Sequence, residues 1–252
     1  MRIIFVEDQV DNKITDAYRR ALLNAGIAIG PTGDIMRKTA VCTTTAACGR
    51  GTICNGTTLC EKVATIQNAL DKNIIGNAAG FNAYLSFLVE FPNEWESISG
   101  MIIDADMKPL EGSGSLDASE TGLVLIEKVC ELLVPWMQLH RKTGMKIYLL
   151  TRFSNSMKRL KDRSDFTQKN AEQKGLTATV SYLEYESADK HKNEHDNTPL
   201  SYPGNIEVRF IQKESTDTDN AAKTFVEEEL MPWMQNEIER KTTEAIRNPG
   251  HK

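Results

Sequence analysis

The chain has 252 residues, 40% of them hydrophobic, with 35 acidic against 30 basic side chains and a formal net charge of −5. That length buries a sizeable core in one large domain or two small ones, and the acidic balance leaves no basic footprint for direct nucleic-acid binding. Acid arrives as early as Glu7-Asp8, before any signal-peptide apolar region, and no stretch approaches the roughly 20 apolar residues of a membrane span, so a soluble, cytoplasmic protein without membrane insertion is expected.

In chain order, Ile3-Ile4-Phe5-Val6 is a short apolar run of the kind that forms a buried strand of a parallel sheet, and it ends in Glu7-Asp8. The spacing then predicts an amphipathic helix over 15–26, with Ala17, Ala21 and Leu22 inward and Gly26 past its end as a cap. From about 28 to 78 the first half has no clean period, and the segment reads as an insertion. Within it Cys42, Cys48, Cys54 and Cys60 recur every six residues, each after an apolar residue. An even interval puts four sulfurs on one face of extended chain, which suggests free thiols on a β-like arm. Paired C-x₂₋₄-C spacing is absent, and a Cys₄ metal site and disulfides remain the alternatives.

Phe81–Glu90 returns to helical spacing and Pro92 bounds it. Met101-Ile102-Ile103 is the next strand, ending in Asp104. Glu120–Leu133 reads as a helix with Leu123, Ile126, Val129, Cys130 and Leu133 on one face, feeding the strand Ile147–Leu150, which ends in Thr151. A polar helix is expected over 156–175, followed by a second insertion at about 178–205. Its charged run is read as an exposed loop in which His191 and His195 are solvated rather than metal-bound. Val208–Gln212 is the last strand and runs into Lys213. From Asp219 a long helical pattern follows, with breaks expected at Pro232 and Pro249. One echo, Leu133-Val134-Pro135-Trp136-Met137-Gln138 and Leu230-Met231-Pro232-Trp233-Met234-Gln235, is read as two helix ends closing the core edge.

Alternation of strand and helix indicates a single α/β domain over 1–252 with a doubly wound parallel sheet. In such a sheet the carboxyl ends of the strands share one crevice, so Glu7, Asp8, Asp104, Thr151 and Lys213 are expected to meet. Their chemistry is coherent. An aspartate at a buried strand end is a nucleophile toward a phosphoryl donor. Two anions repel, so a divalent cation must bridge them, and Mg²⁺ takes a few carboxylates plus water and phosphate oxygen. A lysine and a hydroxyl supply a point charge and a hydrogen bond to the phosphoryl oxygens.

These residues, with Asp104-Ala105-Asp106-Met107-Lys108-Pro109, resemble a response-regulator receiver domain, the phosphoacceptor partner of sensor histidine kinases. The resemblance implies a five-stranded flavodoxin-like sheet of order 2-1-3-4-5, with the two insertions unmatched. It implies that Asp104 accepts the phosphoryl group, that Glu7, Asp8, Asp104 and the backbone carbonyl of Asp106 hold Mg²⁺, that Thr151 and Lys213 sense the phosphate, and that Phe210 is the aromatic that changes rotamer. It also implies a histidine kinase or phosphotransfer protein as donor, an unidentified downstream protein as partner, compatibility with a homodimer, and no enzymatic activity beyond self-phosphorylation and self-dephosphorylation. Three positions depart from the pattern. Lys108 stands where a proline is usual, Arg152 replaces a small residue and either obstructs or clamps the phosphate, and Glu214 replaces the proline after the lysine. The Asp104-Ala105-Asp106 segment is also similar to the D-x-D motif of haloacid-dehalogenase phosphatases, which place their metal-binding acidic pair after the lysine. A degenerate receiver serving only as a binding module is the third reading.

Overall fold

A computed structural model describes residues 2–31, 56–108, 118–140, 144–151, 180–185, 205–212 and 217–247. Eight strands form one sheet: β1 Arg2–Val6, β2 Ala28–Ile29, β3 Leu70–Asp71, β4 Ile74–Ile75, β5 Ile98–Asp104, β6 Gly144–Thr151, β7 Val180–Tyr185 and β8 Asn205–Gln212. Their order is β3-β4-β1-β5-β6-β8-β7, with β2 also paired to β1. The β3–β4 hairpin is antiparallel and the other pairings are parallel. The architecture is therefore α/β with a mostly parallel sheet.

The expected five strands in the order 2-1-3-4-5 need correction at both edges. Beside β1 the edge is split, β2 lying against Arg2–Ile3 and β4 against Val6. Strands of two residues carry no readable period, which is why this stretch looked like an insertion. Its turn, Lys72-Asn73, has φ of 49° and 66°, the paired left-handed conformation of a tight hairpin, reached here without glycine. At the other edge β7 adds a parallel strand outside β8. Its valine, leucine and tyrosines are strand-forming, but they border a charged run that masked them.

Six α-helices complete the described chain: α1 Lys13–Asn24, α2 Gly56–Asn68, α3 Ala78–Glu90, α4 Ala118–His140, α5 Thr218–Thr224 and α6 Met231–Arg247, with a 3₁₀ helix at Pro92–Ser97. Strand alternation sorts the core into two layers. Ile4, Val6, Met101, Ile103, Ile147 and Leu149 face Ile66, Phe81, Leu88, Leu125 and Val129 of α2, α3 and α4. Ile3, Phe5, Ile102, Tyr148 and Leu150 face Tyr18 and Leu22 of α1, with Phe225 and Leu230. Each large apolar side chain so buried contributes about 1.5–3 kcal/mol.

Local signals set the helix ends. Asn12 caps α1 by accepting the Ile14 N–H at 3.0 Å. Gly26, at φ +72°, closes it, with Gly26 N–H to Leu23 O at 3.0 Å and Ile27 N–H to Leu22 O at 2.9 Å. The expected break at Pro232 does not occur. A π-helical segment, Phe225–Leu230, joins α5 to α6, and the Met231 N–H reaches back five residues to Val226 O. In a regular helix the proline ring collides with the carbonyl four residues earlier, and the wider π turn ahead of Pro232 relieves that conflict. α4 likewise runs through Pro135. Both copies of the echo thus lie within helices rather than at their ends.

Cys60 lies in α2, a helix and not the expected β-like arm. Helical spacing at six-residue intervals does not align sulfurs on one face. Cys42, Cys48 and Cys54, the 156–175 helix, Arg152, His191, His195, Lys213, Glu214 and Pro249 lie outside the described residues.

Candidate functional site

Val6 pairs with Ile103, so Glu7 leaves β1 level with Asp104, the last residue of β5. Asp104 in turn pairs with Leu150, and Thr151 pairs with Gln212 at the ends of β6 and β8. Parallel register therefore delivers the polar strand ends to one edge. Glu7 is fully buried, Asp104 is 2% exposed, and Asp8 is half-buried. One carboxylate oxygen each from Glu7, Asp8 and Asp104 fall within 4.8 Å of one another.

Backbone amides orient these groups. Gln9 N–H donates to Glu7 Oε1 at 3.1 Å, Asp106 N–H to Asp104 Oδ1 at 3.1 Å, and Lys108 N–H to Asp8 Oδ2 at 3.0 Å. Hydrogen bonds to an ionised acceptor are about twice as strong as neutral ones. They do not remove the mutual repulsion, which at 4–5 Å and an effective dielectric of ~20 is on the order of a few kcal/mol per ionised pair. The second oxygen of Asp8, Oδ1, is buried with no hydrogen-bond partner. Three converging carboxylates are a hard, all-oxygen donor set, the kind that suits Mg²⁺ or Ca²⁺ rather than a soft metal. The buried Asp8 Oδ1 is a lone pair that such an ion would satisfy.

The segment after Asp104 is gripped from two sides. Ala105 N–H donates to Leu150 O at 2.8 Å, tying it to β6, and Gly122 N–H of α4 donates to Ala105 O at 3.2 Å. A Cβ on Gly122 would lie 2.3 Å from Asp104 O and 2.5 Å from Ala105 Cα. Only glycine permits that approach.

Of the residues expected at the site, Glu7, Asp8, Asp104 and Asp106 come together. Thr151 closes β6 and Phe210 lies in β8, with side chains outside those described; Lys213 would follow directly on Gln212. Lys108 is exposed, and its described contact with the acids is made by its amide. Sequence reasoning missed Gly122, although an isolated glycine in an apolar helical pattern is a sign of close backbone approach. It also missed the amides of Gln9 and Lys108, which leave no trace in residue type.

Among the described residues no helix is long and apolar enough to cross a membrane. Compared with protein-family models, with curated proteins and with solved structures, the chain matches none.

Proposed function

We propose that the chain is a receiver-type phosphoacceptor switch in which Asp104 takes a phosphoryl group from a histidine kinase or phosphotransfer protein. The observation that carries this reading is the convergence of Glu7, Asp8 and Asp104 oxygens within 4.8 Å at adjacent parallel strand ends. The run β4-β1-β5-β6-β8 is compatible with it once β2, β3 and β7, which the expected order lacks, are set aside.

Glu7, Asp8, Asp104 and the carbonyl of Asp106 would hold Mg²⁺, which would supply positive charge to offset the repulsion between the carboxylates and an incoming phosphoryl group. Asp106 N–H and the grip of Gly122 on Ala105 hold the Asp104 carboxylate in place. A carboxylate oxygen of Asp104 forms the new P–O bond while the donor's P–N bond breaks. The electron pair stays on the imidazole nitrogen, which takes up a proton. Thr151 and Lys213 would then bind the phosphoryl oxygens and Phe210 would register the change, with Arg152, the residue after Thr151 in sequence, as modulator. Output passes to a protein partner in the cytoplasm.

The test is incubation with Mg²⁺ and beryllofluoride or a small phosphodonor, read by intact mass and fluorescence. An adduct is expected on the wild type and none on Asp104→Asn. Sustained turnover of a phosphomonoester would instead indicate the phosphatase reading, and absence of divalent binding the degenerate one.

A further inference from the structure

We infer that the backbone amide of Lys108 is a specificity-determining element of the acidic site, selecting a small octahedral cation over a larger one. The inference rests on the cation-binding reading of Glu7, Asp8 and Asp104 given above. Lys108 follows the phosphoacceptor strand by four residues, yet its N–H crosses to the other acidic strand end and binds Asp8 Oδ2 at 3.0 Å. Asp8 Oδ1 remains buried and without a partner. Asp8 therefore has one oxygen, Oδ1, left open to a cation.

The number of oxygens offered matters to the ion. Ca²⁺ takes six to eight oxygens and accepts carboxylates in bidentate fashion, whereas Mg²⁺ requires near-ideal octahedral geometry with single oxygens and retained waters. An amide held on Oδ2 denies the bidentate mode. A proline at 108, the residue that the receiver pattern has there, carries no N–H and would leave Oδ2 available. Lys108 thus acts through its main chain, and its ammonium group is incidental to this role.

The segment is built to hold that amide steady. Asp106 N–H binds Asp104 Oδ1, Ala105 is tied to Leu150 O, and Gly122 sits against it. Two amides, two residues apart in sequence, thereby connect the acid of β5 to the acid that follows β1.

Mg²⁺ and Ca²⁺ affinities are measured by calorimetry on the full chain, comparing wild type, Lys108→Pro and Lys108→Ala. Lys108→Pro is expected to lower the Mg²⁺/Ca²⁺ preference by roughly tenfold, the size expected for loss of a hydrogen bond to a charged group. Lys108→Ala, which keeps the N–H, is expected to retain the preference. Because proline can perturb folding, an amide-to-ester replacement at Lys108 removes the N–H alone and should reproduce the change. An unchanged preference in both the proline and ester forms overturns the inference while leaving the acidic site standing. A shift of equal size in Lys108→Ala assigns selectivity to the ammonium and also overturns it. Failure of the wild type to bind either ion removes the site itself, and the inference with it.

Discussion

At the carboxyl end of the sheet three carboxylates converge within 4.8 Å, while near its amino end one basic side chain lies over a ring and another reaches a carbonyl. There Lys146, although buried, has its Nζ 5.8 Å from the Trp233 ring centroid, and Arg2 donates from Nη1 to Gly30 O at 3.2 Å. Trp95 and Trp136 pack at 6.3 Å on the opposite face of the sheet. Each end leaves a buried polar atom without a hydrogen-bond partner, Arg2 Nε at one and Asp8 Oδ1 at the other, but the carboxyl end also gathers like charges. A fold keeps such an arrangement at a cost in stability, and the cost marks where a ligand acts.

The sharpest way to break this contrast is Asp104→Asn. It should abolish the phosphoryl or beryllofluoride adduct and, with cation removed, raise stability by about 1 kcal/mol by relieving repulsion, a Tm increase of about 2–4 °C in a chain of this size. A loss of metal-free stability would refute the account of the acids as mutually repelling.

The largest loss of stability is expected from Phe225→Ala. Phe225 packs edge-on against Tyr148 at 4.7 Å and against Tyr18 at 5.6 Å, joining the π segment to the sheet and to α1. Truncation should cost about 3–5 kcal/mol in urea unfolding. Much less would mean that this aromatic layer is not the junction between the C-terminal helix and the sheet.

Cys130 gives a smaller, pH-dependent effect. Burial, followed by Glu127 and Glu131, pushes its thiol up to about 12. The folded pKa exceeds the unfolded value of about 8.5, so its contribution to stability is intact below that pH and is lost as pH rises toward 12, at up to about 1.4 kcal/mol per pH unit. Cys130→Ala should flatten the alkaline decline relative to wild type, and native Cys130 should resist thiol reagents near neutral pH.

The smallest loss of stability is expected at the amino end of the sheet. Trp233→Leu should cost about 0.5–2 kcal/mol through the loss of the ring under Lys146, with Mg²⁺ affinity unaltered. An altered affinity would mean that the two ends communicate, and the contrast between them would have to be abandoned.

What the sequence discloses follows from the length of each signal. β1, β5 and β6 are legible as apolar runs with a polar terminus, and α1, α3 and α4 as periodic faces, because each spans enough residues to repeat a pattern. Register then brings Glu7 beside Asp104, something a list of strand ends can anticipate. β2 and β4 escape notice, since two residues hold no period, and the Lys72-Asn73 turn lacks the glycine that would advertise it. The continuation of helix through Pro135 and Pro232 is equally hidden, and at Pro232 the accommodation lies in hydrogen-bond geometry. The amide contacts of Gln9, Asp106 and Lys108 belong to the main chain, which every sequence shares.

The π segment also fixes the phase of everything after it. Each α-helical residue turns the chain by about 100°, and the wider π turn absorbs one extra residue without passing that rotation on, so removing a single residue between Phe225 and Leu230 would convert the wide turn to a regular one and leave α6 facing as it does. Trp233 would stay beside Lys146, and Met234 would stay buried. The extra residue is therefore absorbed where it stands, and a one-residue deletion there should be less disruptive than a one-residue deletion within the regular turns of α6.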